Sequence, residues 1–328
     1  MTPVRTGEFD RIERYLAPLA AGWPGAFGLR DDAAIIPPTT GCDLVVTTDT
    51  MVAGVHFIGD EPAALIARKL LRVNLSDIAG MGATARCYTL NLALPSSIED
   101  AWLADFTAGL AVDQAAFDVA LAGGDSVSIP GPMCLTVTAF GEVKQGGALR
   151  RGGARPGDRI FVSGTIGDGA LGLRALRGEL SMLGTADRDW LADRYRLPQP
   201  RLAVGAGLVG LATAAMDVSD GLVGDLGHIA DVSGVAGVVE CDRVPLSKAA
   251  GNAVAGTPDL RETVLTGGDD YELLFTVPAD AGPAVAALSA TVGLPMTEIG
   301  LIEAGAGVRV LDGQGQPMTF SATGYTHR

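Results

Sequence analysis

The chain has 328 residues, 38 acidic against 24 basic, for a formal net charge of -14. Its 48% hydrophobic content excludes a disordered chain, and its length suggests two domains. The acidity excludes a direct nucleic-acid binder or a protein that docks on anionic lipid, since both need a basic face. Small phosphate ligands stay open, because bound cations reverse a local field.

Residues 8–20 show helical spacing of Phe9, Ile12, Tyr15, Leu16 and Leu19, with no apolar targeting core. Residues 43–52 read as a buried strand and 62–83 as a helix ending in a glycine-rich turn. A strand over 86–95, an amphipathic helix over 98–117 and strands over 118–125 and 133–143 follow. Residues 144–158 are glycine-rich, basic and turn-forming, which predicts a boundary between domains 1–147 and 148–328. Beyond it come a strand over 159–164, helices over 169–180 and 219–234, and strands near 237–241, 272–277 and 307–312. The alternation gives an α/β or α+β class for both halves. No apolar run reaches the ~18 residues that span a bilayer. Cys42, Cys87, Cys134 and Cys241 lack metal-knuckle spacing and read as reduced thiols. A cytoplasmic protein with no membrane partner is expected.

The placement of aspartates carries the chemistry. Asp31 and Asp32 lie in LRDDAAII, Asp49 in TTDT, Asp77 in NLSD and Asp125 in AGGDS. Asp217 and Asp220 lie in MDVSDG, and Asp269 and Asp270 in TGGDDYELLF. A single aspartate at a strand end often only caps a helix or closes an Asx turn. A whole set in small, apolar surroundings with few basic neighbours points instead to divalent cations, and Mg²⁺ favours such hard oxygen donors. Ser219, before a helix, fits both an N-cap and a ligand. GDGALG (167–172) matches GxGxxG after a strand, but the second strand with its acidic end is missing, so a tight strand-to-helix packing is expected there. Only three lysines occur, none in a P-loop, and no GxSxG elbow is present. His56, His228 and His327 are too scattered for a local metal site. Arg150, Arg151 and Arg155 suit a solvated linker, or a grip on phosphate.

RDDAA, TTDTMVAGVHF, NLSDIAGMGA, AGGD, ALRRGGARPGD, MDVSDGL and GGDDYELLF occur here in one order. In that order the chain resembles, over nearly its whole length, the thiamine-monophosphate kinase family of the aminoimidazole ribonucleotide synthetase-like superfamily. The resemblance implies a two-domain fold: an N-terminal mixed sheet with helices that binds ATP and metal and dimerises, and a C-terminal α/β sandwich. It implies phosphorylation of thiamine monophosphate by ATP with several Mg²⁺ ions in a homodimer. Asp32, Thr47, Thr48, Asp49, Asp77, Asp125, Asp217 and Asp220 would hold metal, with Asp49, Asp125 and Asp220 central to catalysis. Gly124, Asp125, Arg151 and Ser219 would contact ATP, and His56, Asp269 and Tyr325 the thiamine phosphate. Arg30 stands where the family has glycine, and Asp269 where glutamate is also common. Alternatives within the superfamily are a purine-synthesis ligase, a selenophosphate synthetase or a hydrogenase-maturation dehydratase. A non-catalytic Mg-nucleotide-binding protein is the alternative of another class.

Overall fold

A computed structural model describes residues 7–325; His327 lies outside them. The chain divides into two compact units. One runs up to Ile78 and from Thr84 to Gly146; the other holds Ala79–Ala83 and everything from Gly147 on. The main division thus falls in the glycine-rich stretch, while the short exit from a helix goes with the second unit.

The first unit opens with α1 (Glu8–Arg11), a π turn (Ile12–Leu16) and 3₁₀ turns (Ala17–Ala20 and Pro24–Leu29). The single α-helix expected over 8–20 is not formed. Pro18 has no N–H to donate and enters the first 3₁₀ turn, so an α-ladder cannot run through it. Then follow β1 (Cys42–Val52), α2 (Ala63–Gly80), β2 (Thr84–Pro95), α3 (Asp100–Phe117), β3 (Ala120–Ile129) and β4 (Cys134–Lys144). The sheet order is β1-β4-β2-β3. β4 is antiparallel to β1 and β2, and β2 is parallel to β3, so the sheet is mixed.

Strand alternation sends Leu90, Leu92, Leu135 and Val137 into the core. The opposite face carries Thr48, Thr136 and Thr138, and β1 leaves Leu44 and Val46 48% and 53% exposed. The expected buried strand over 43–52 is therefore a half-exposed edge strand, because its apolar run meets the core on one face only. α2 and α3 approach closely at Gly109, where a Cβ would sit 2.3 Å from the Ala64 carbonyl oxygen. Arg68 and Arg72 on α2 donate to the buried Asp113 on α3 at 2.9 and 2.6 Å, locking the pair.

The second unit contains β5 (Arg159–Ser163), α4 (Asp168–Leu176), α5 (Thr185–Arg196), α6 (Leu202–Leu208), β6 (Ala214–Asp217), α7 (Leu222–Ser233) and β7 (Ala236–Glu240). It continues with α8 (Lys248–Gly256), α9 (Leu260–Thr266), β8 (Leu273–Val277), α10 (Gly282–Val292), β9 (Met296–Glu303) and β10 (Gly307–Leu311). The sheet runs β10-β7-β9-β5-β8-β6, parallel only between β10 and β7. Ile160, Val162 and Leu274 pack on one face with Leu171, Leu226 and Val264. Phe161 and Phe275 turn to the other face, with Val204, Leu208 and Val285. Helices thus cover both faces, which is why these strands read as continuous apolar runs.

Candidate active site

In the first unit, β1 presents Thr47 and Asp49 on one face, as a period of two requires. Thr47 Oγ1 donates to Asp77 Oδ2 at 2.6 Å, joining strand to helix. The Asp49 amide donates to Asn74 Oδ1 at 3.0 Å, and Asn74 Nδ2 donates to the Leu70 carbonyl at 2.9 Å. Asn74 is fully buried and fixes the height of Asp49; the sequence reading missed it, and its place in NLSD three residues before Asp77 is the signal that was there. Thr48 faces the other way: its hydroxyl donates to the Val137 carbonyl and accepts from Thr138. Its side chain therefore does not join Thr47 and Asp49.

A cleft of roughly 400 Å³ in the same unit is lined by Asp31, Asp32, Thr89, Gly124, Asp125 and Ser126. Ile12, Leu16, Ala26 and Leu29 supply an apolar wall. Gly124 has φ +156°, and a Cβ there would lie 1.9 Å from the Leu90 carbonyl oxygen, so only glycine lets β3 pass β2 at this point. Asp125 follows it into the open, with Oδ1 accepting from the Ser126 amide at 2.7 Å. Arg30 pairs on the surface with Glu13 at 2.9 Å. His56 lies in the turn after β1, where Nδ1 accepts from the Val52 amide at 3.1 Å; the ring proton accordingly sits on Nε2. Glu61 closes that loop by accepting from the Ile58 and Gly59 amides at 2.9 and 2.7 Å.

In the second unit three segments meet. β6 delivers Asp217 at its last position, and the turn through Ser219 and Asp220 follows. The Asp269 amide donates to the Ser219 carbonyl at 2.9 Å, and the Tyr325 amide to the Asp220 carbonyl at 3.0 Å. Ser219, Asp220, Asp269 and Tyr325 are thereby brought together. Ser219 is not the N-cap of α7: Gly221 holds that position without a side-chain cap. Asp225, inside the first turn, takes the capping role by accepting from the Asp220 and Gly221 amides at 3.1 Å each. Burial pushes the Asp225 carboxyl up to about 7, with the nearby Asp220 charge adding to the rise. Arg151 is exposed in the linker; its carbonyl accepts from Ser233 at 3.4 Å.

The GDGALG loop is a packing device. A Cβ on Gly167, Gly169 or Gly172 would meet Val264, the Asp269 carbonyl or the Leu191 carbonyl at 2.7, 2.2 or 2.1 Å. Its amides are spoken for by the protein itself: Gly167 N and Gly169 N donate to the buried Asp270 carboxylate. Burial raises the Asp270 carboxyl well above its ordinary value, opposed by those two amides. Glu272, also fully buried, accepts from Arg194, Arg201 and Ser163. The second half of TGGDDYELLF thus serves the interior, with ordinary ion pairing at Glu272.

Among the described residues no three His, Cys, Asp or Glu side chains converge into a ready-made metal cage. The donor chemistry nonetheless fits Mg²⁺. Asp31, Asp32, Asp125, Thr89 and Ser126 on the cleft, and Thr47, Asp49 and Asp77 beside α2, offer hard oxygens and no thiolate or imidazole. Mg²⁺ is ordinarily held by one or two carboxylates, the rest of its shell being water and substrate phosphate, so a preformed cage is not required.

Both halves of the chain match one class. Residues 30–143 match the AIR synthase related protein, N-terminal domain, and residues 155–313 match its C-terminal domain. The thiamine-monophosphate kinase of Caulobacter vibrioides is 44% identical over 323 residues, covering 98% of this chain and 90% of that protein. The crystal structure of thiamine-monophosphate kinase from Stenotrophomonas maltophilia K279a superposes with a TM-score of 0.81 at 44% identity, covering 88% of this chain and 91% of that one. A structure described as AaThiL complexed with AMPPCP and TMP gives 0.78 at 30% identity over 100% of both chains. The chain belongs to the thiamine-monophosphate kinase family.

Proposed function

We propose that this protein transfers the γ-phosphoryl group of ATP to thiamine monophosphate, giving ADP and thiamine diphosphate. The observation that carries the reading is the structural relative bound to AMPPCP and TMP, which aligns with this chain end to end. A phosphate oxygen of thiamine monophosphate forms the new bond to the γ-phosphorus, and the bond to the ADP oxygen breaks in line. The acceptor phosphate has a second pKa of about 6 and is ionised at neutral pH, so no strong general base is needed. Repulsion between the two anions is the obstacle, and positioning with charge neutralisation overcomes it.

Asp32, Thr47, Asp49, Asp77, Asp125, Asp217 and Asp220 would hold Mg²⁺, with Asp49, Asp125 and Asp220 nearest the chemistry. Bound there, Mg²⁺ would offset phosphate charge as the γ-phosphoryl group moves. Gly124, Asp125, Arg151 and Ser219 would contact ATP. His56, with its donor proton on Nε2, would face the substrate phosphate, and Asp269 and Tyr325 the remainder of thiamine monophosphate. A homodimer formed over the open face of the first sheet would cover Leu44 and Val46; light scattering that gives a monomer mass overturns that part. The cytoplasm, where ATP is plentiful, is the compartment that goes with this reading.

The test is direct. Incubation with Mg·ATP and thiamine monophosphate yields thiamine diphosphate and ADP in equal amounts, read by chromatography. Nucleotide binding with no diphosphate under varied metals sinks the kinase in favour of a non-catalytic binder.

A further inference from the structure

Asp270 has no part in the metal, nucleotide or substrate groups, yet its surroundings are built around it. The side chain is buried; Oδ2 accepts from Gly167 N at 2.7 Å and Oδ1 from Gly169 N at 2.9 Å. The residues on either side, Asp269 and Tyr271, have φ of +70° and +53°. That left-handed region is tolerated by aspartate and costly for a bulky side chain such as tyrosine, and such strain persists only where surroundings over-determine it. The surroundings do so here. Asp269 N and Tyr271 N donate to the Ser219 and Val218 carbonyls at 2.9 and 2.8 Å. On the other side the Asp269 carbonyl lies where a Cβ on Gly169 would stand, 2.2 Å away. The segment is pinned between the turn after β6 and the start of α4.

We infer that Asp270 is a positioning residue, whose carboxylate, clamped by the Gly167 and Gly169 amides, holds Asp269 in its left-handed conformation and so sets where the Asp269 carboxylate meets the substrate. The inference rests on the proposed function in taking Asp269 as a thiamine-monophosphate residue; a carboxylate there suits the cationic thiazolium ring. It gives the GDGALG loop a use distinct from phosphate binding: the carboxyl group its amides hold is the protein's own.

Two measurements test it. Hydrogen exchange on the substrate-free wild-type chain reads the clamp without reference to activity. The amides of Gly167, Gly169, Asp269 and Tyr271 should exchange as slowly as those of β8, and fast exchange there overturns the inference. Kinetics then read its consequence. Asp270→Asn keeps the volume but turns an NH₂ toward one of the two amides. We expect KM for thiamine monophosphate to rise about tenfold or more and KM for Mg·ATP to stay within about twofold. In an Asp269→Ala background the same substitution should add little, since the group being positioned is gone. Equal changes in both KM values, or additive effects in the double variant, mean that Asp270 only supports the fold. A wild-type chain that makes no thiamine diphosphate overturns the function, while slow exchange at the four amides still reports the clamp. If Asp270→Asn does not fold, the exchange result alone decides.

Discussion

Asp49 and Asp125 carry the same functional group into different settings. Asp49 is half-buried, its amide tied to Asn74, whereas Asp125 stands exposed beyond a glycine that no other residue can replace. The buried ion pairs of Asp113 with Arg72 and of Glu272 with Arg194 lie elsewhere in the fold. Asp49→Asn or Asp125→Asn should therefore lower kcat by roughly 10²–10³-fold, the scale on which single electrostatic groups act in a transition state. Thermal melts should stay close to wild type; a near-wild-type rate for either variant counts against its place at the metal. The aspartate motifs were legible because carboxylates in small, apolar surroundings need an explanation. Which of them face a site was not legible, since that depends on the partner across the fold. Asp269 and Asp270 are adjacent in sequence, and one stays partly exposed while the other is buried and held by two amides. Thr47 and Thr48 are likewise adjacent and lie on opposite faces of one strand.

At the scale of elements, α7 shows how a helix start can be held from within. Asp225 caps the helix through Oδ2, while Oδ1 is buried with no hydrogen-bond partner among the described residues. Its carboxyl rises from the ordinary 3.8 to about 7 on folding, chiefly by burial. The folded chain thus keeps a proton that the unfolded chain releases, and folding stability from this group is complete below the unfolded value and lost as pH climbs through the folded one. In metal-free protein, Asp225→Asn removes that dependence. The melting temperature of the variant relative to wild type should increase between pH 4.5 and 7.5, read by circular dichroism; an unchanged difference across that window contradicts the assignment. Strong strands and long amphipathic helices were legible from their periods. β9 was not read, because Gly300 interrupts its apolar pattern. The fold requires that glycine, as a Cβ there would lie 1.9 Å from the Val238 carbonyl. The helices α6, α8 and α10 are rich in Ala and Gly, and their packing against the sheet, more than their own periodicity, defines them.

For the whole molecule the question is what a net charge of -14 does in a protein that joins two anions. Four buried acids are settled internally: Asp113 by Arg68 and Arg72, Glu272 by Arg194 and Arg201, Asp270 by two amides, and Asp225 by a helix start with its carboxyl raised to about 7. Asp32 and Asp125 are left at the surface of a cleft, where water solvates them well enough for folding. Folding and catalysis should then differ in their need for a divalent cation. Removing metal with EDTA should abolish formation of thiamine diphosphate, because the carboxylates and hydroxyls that line the cleft cannot themselves offset phosphate charge. The same treatment should move the melting temperature by no more than about 2 °C, the shift expected from less than about 1 kcal/mol in a protein of this size. Addition of Mg²⁺ should restore turnover without a refolding lag. A large loss of stability on chelation would mean that the metal is part of the fold, and the acidity would then be a structural liability neutralised by bound ions. Turnover that survives chelation would shift the neutralising role to Arg151 and its basic neighbours, and would leave the exposed aspartates of the cleft without a part in the chemistry.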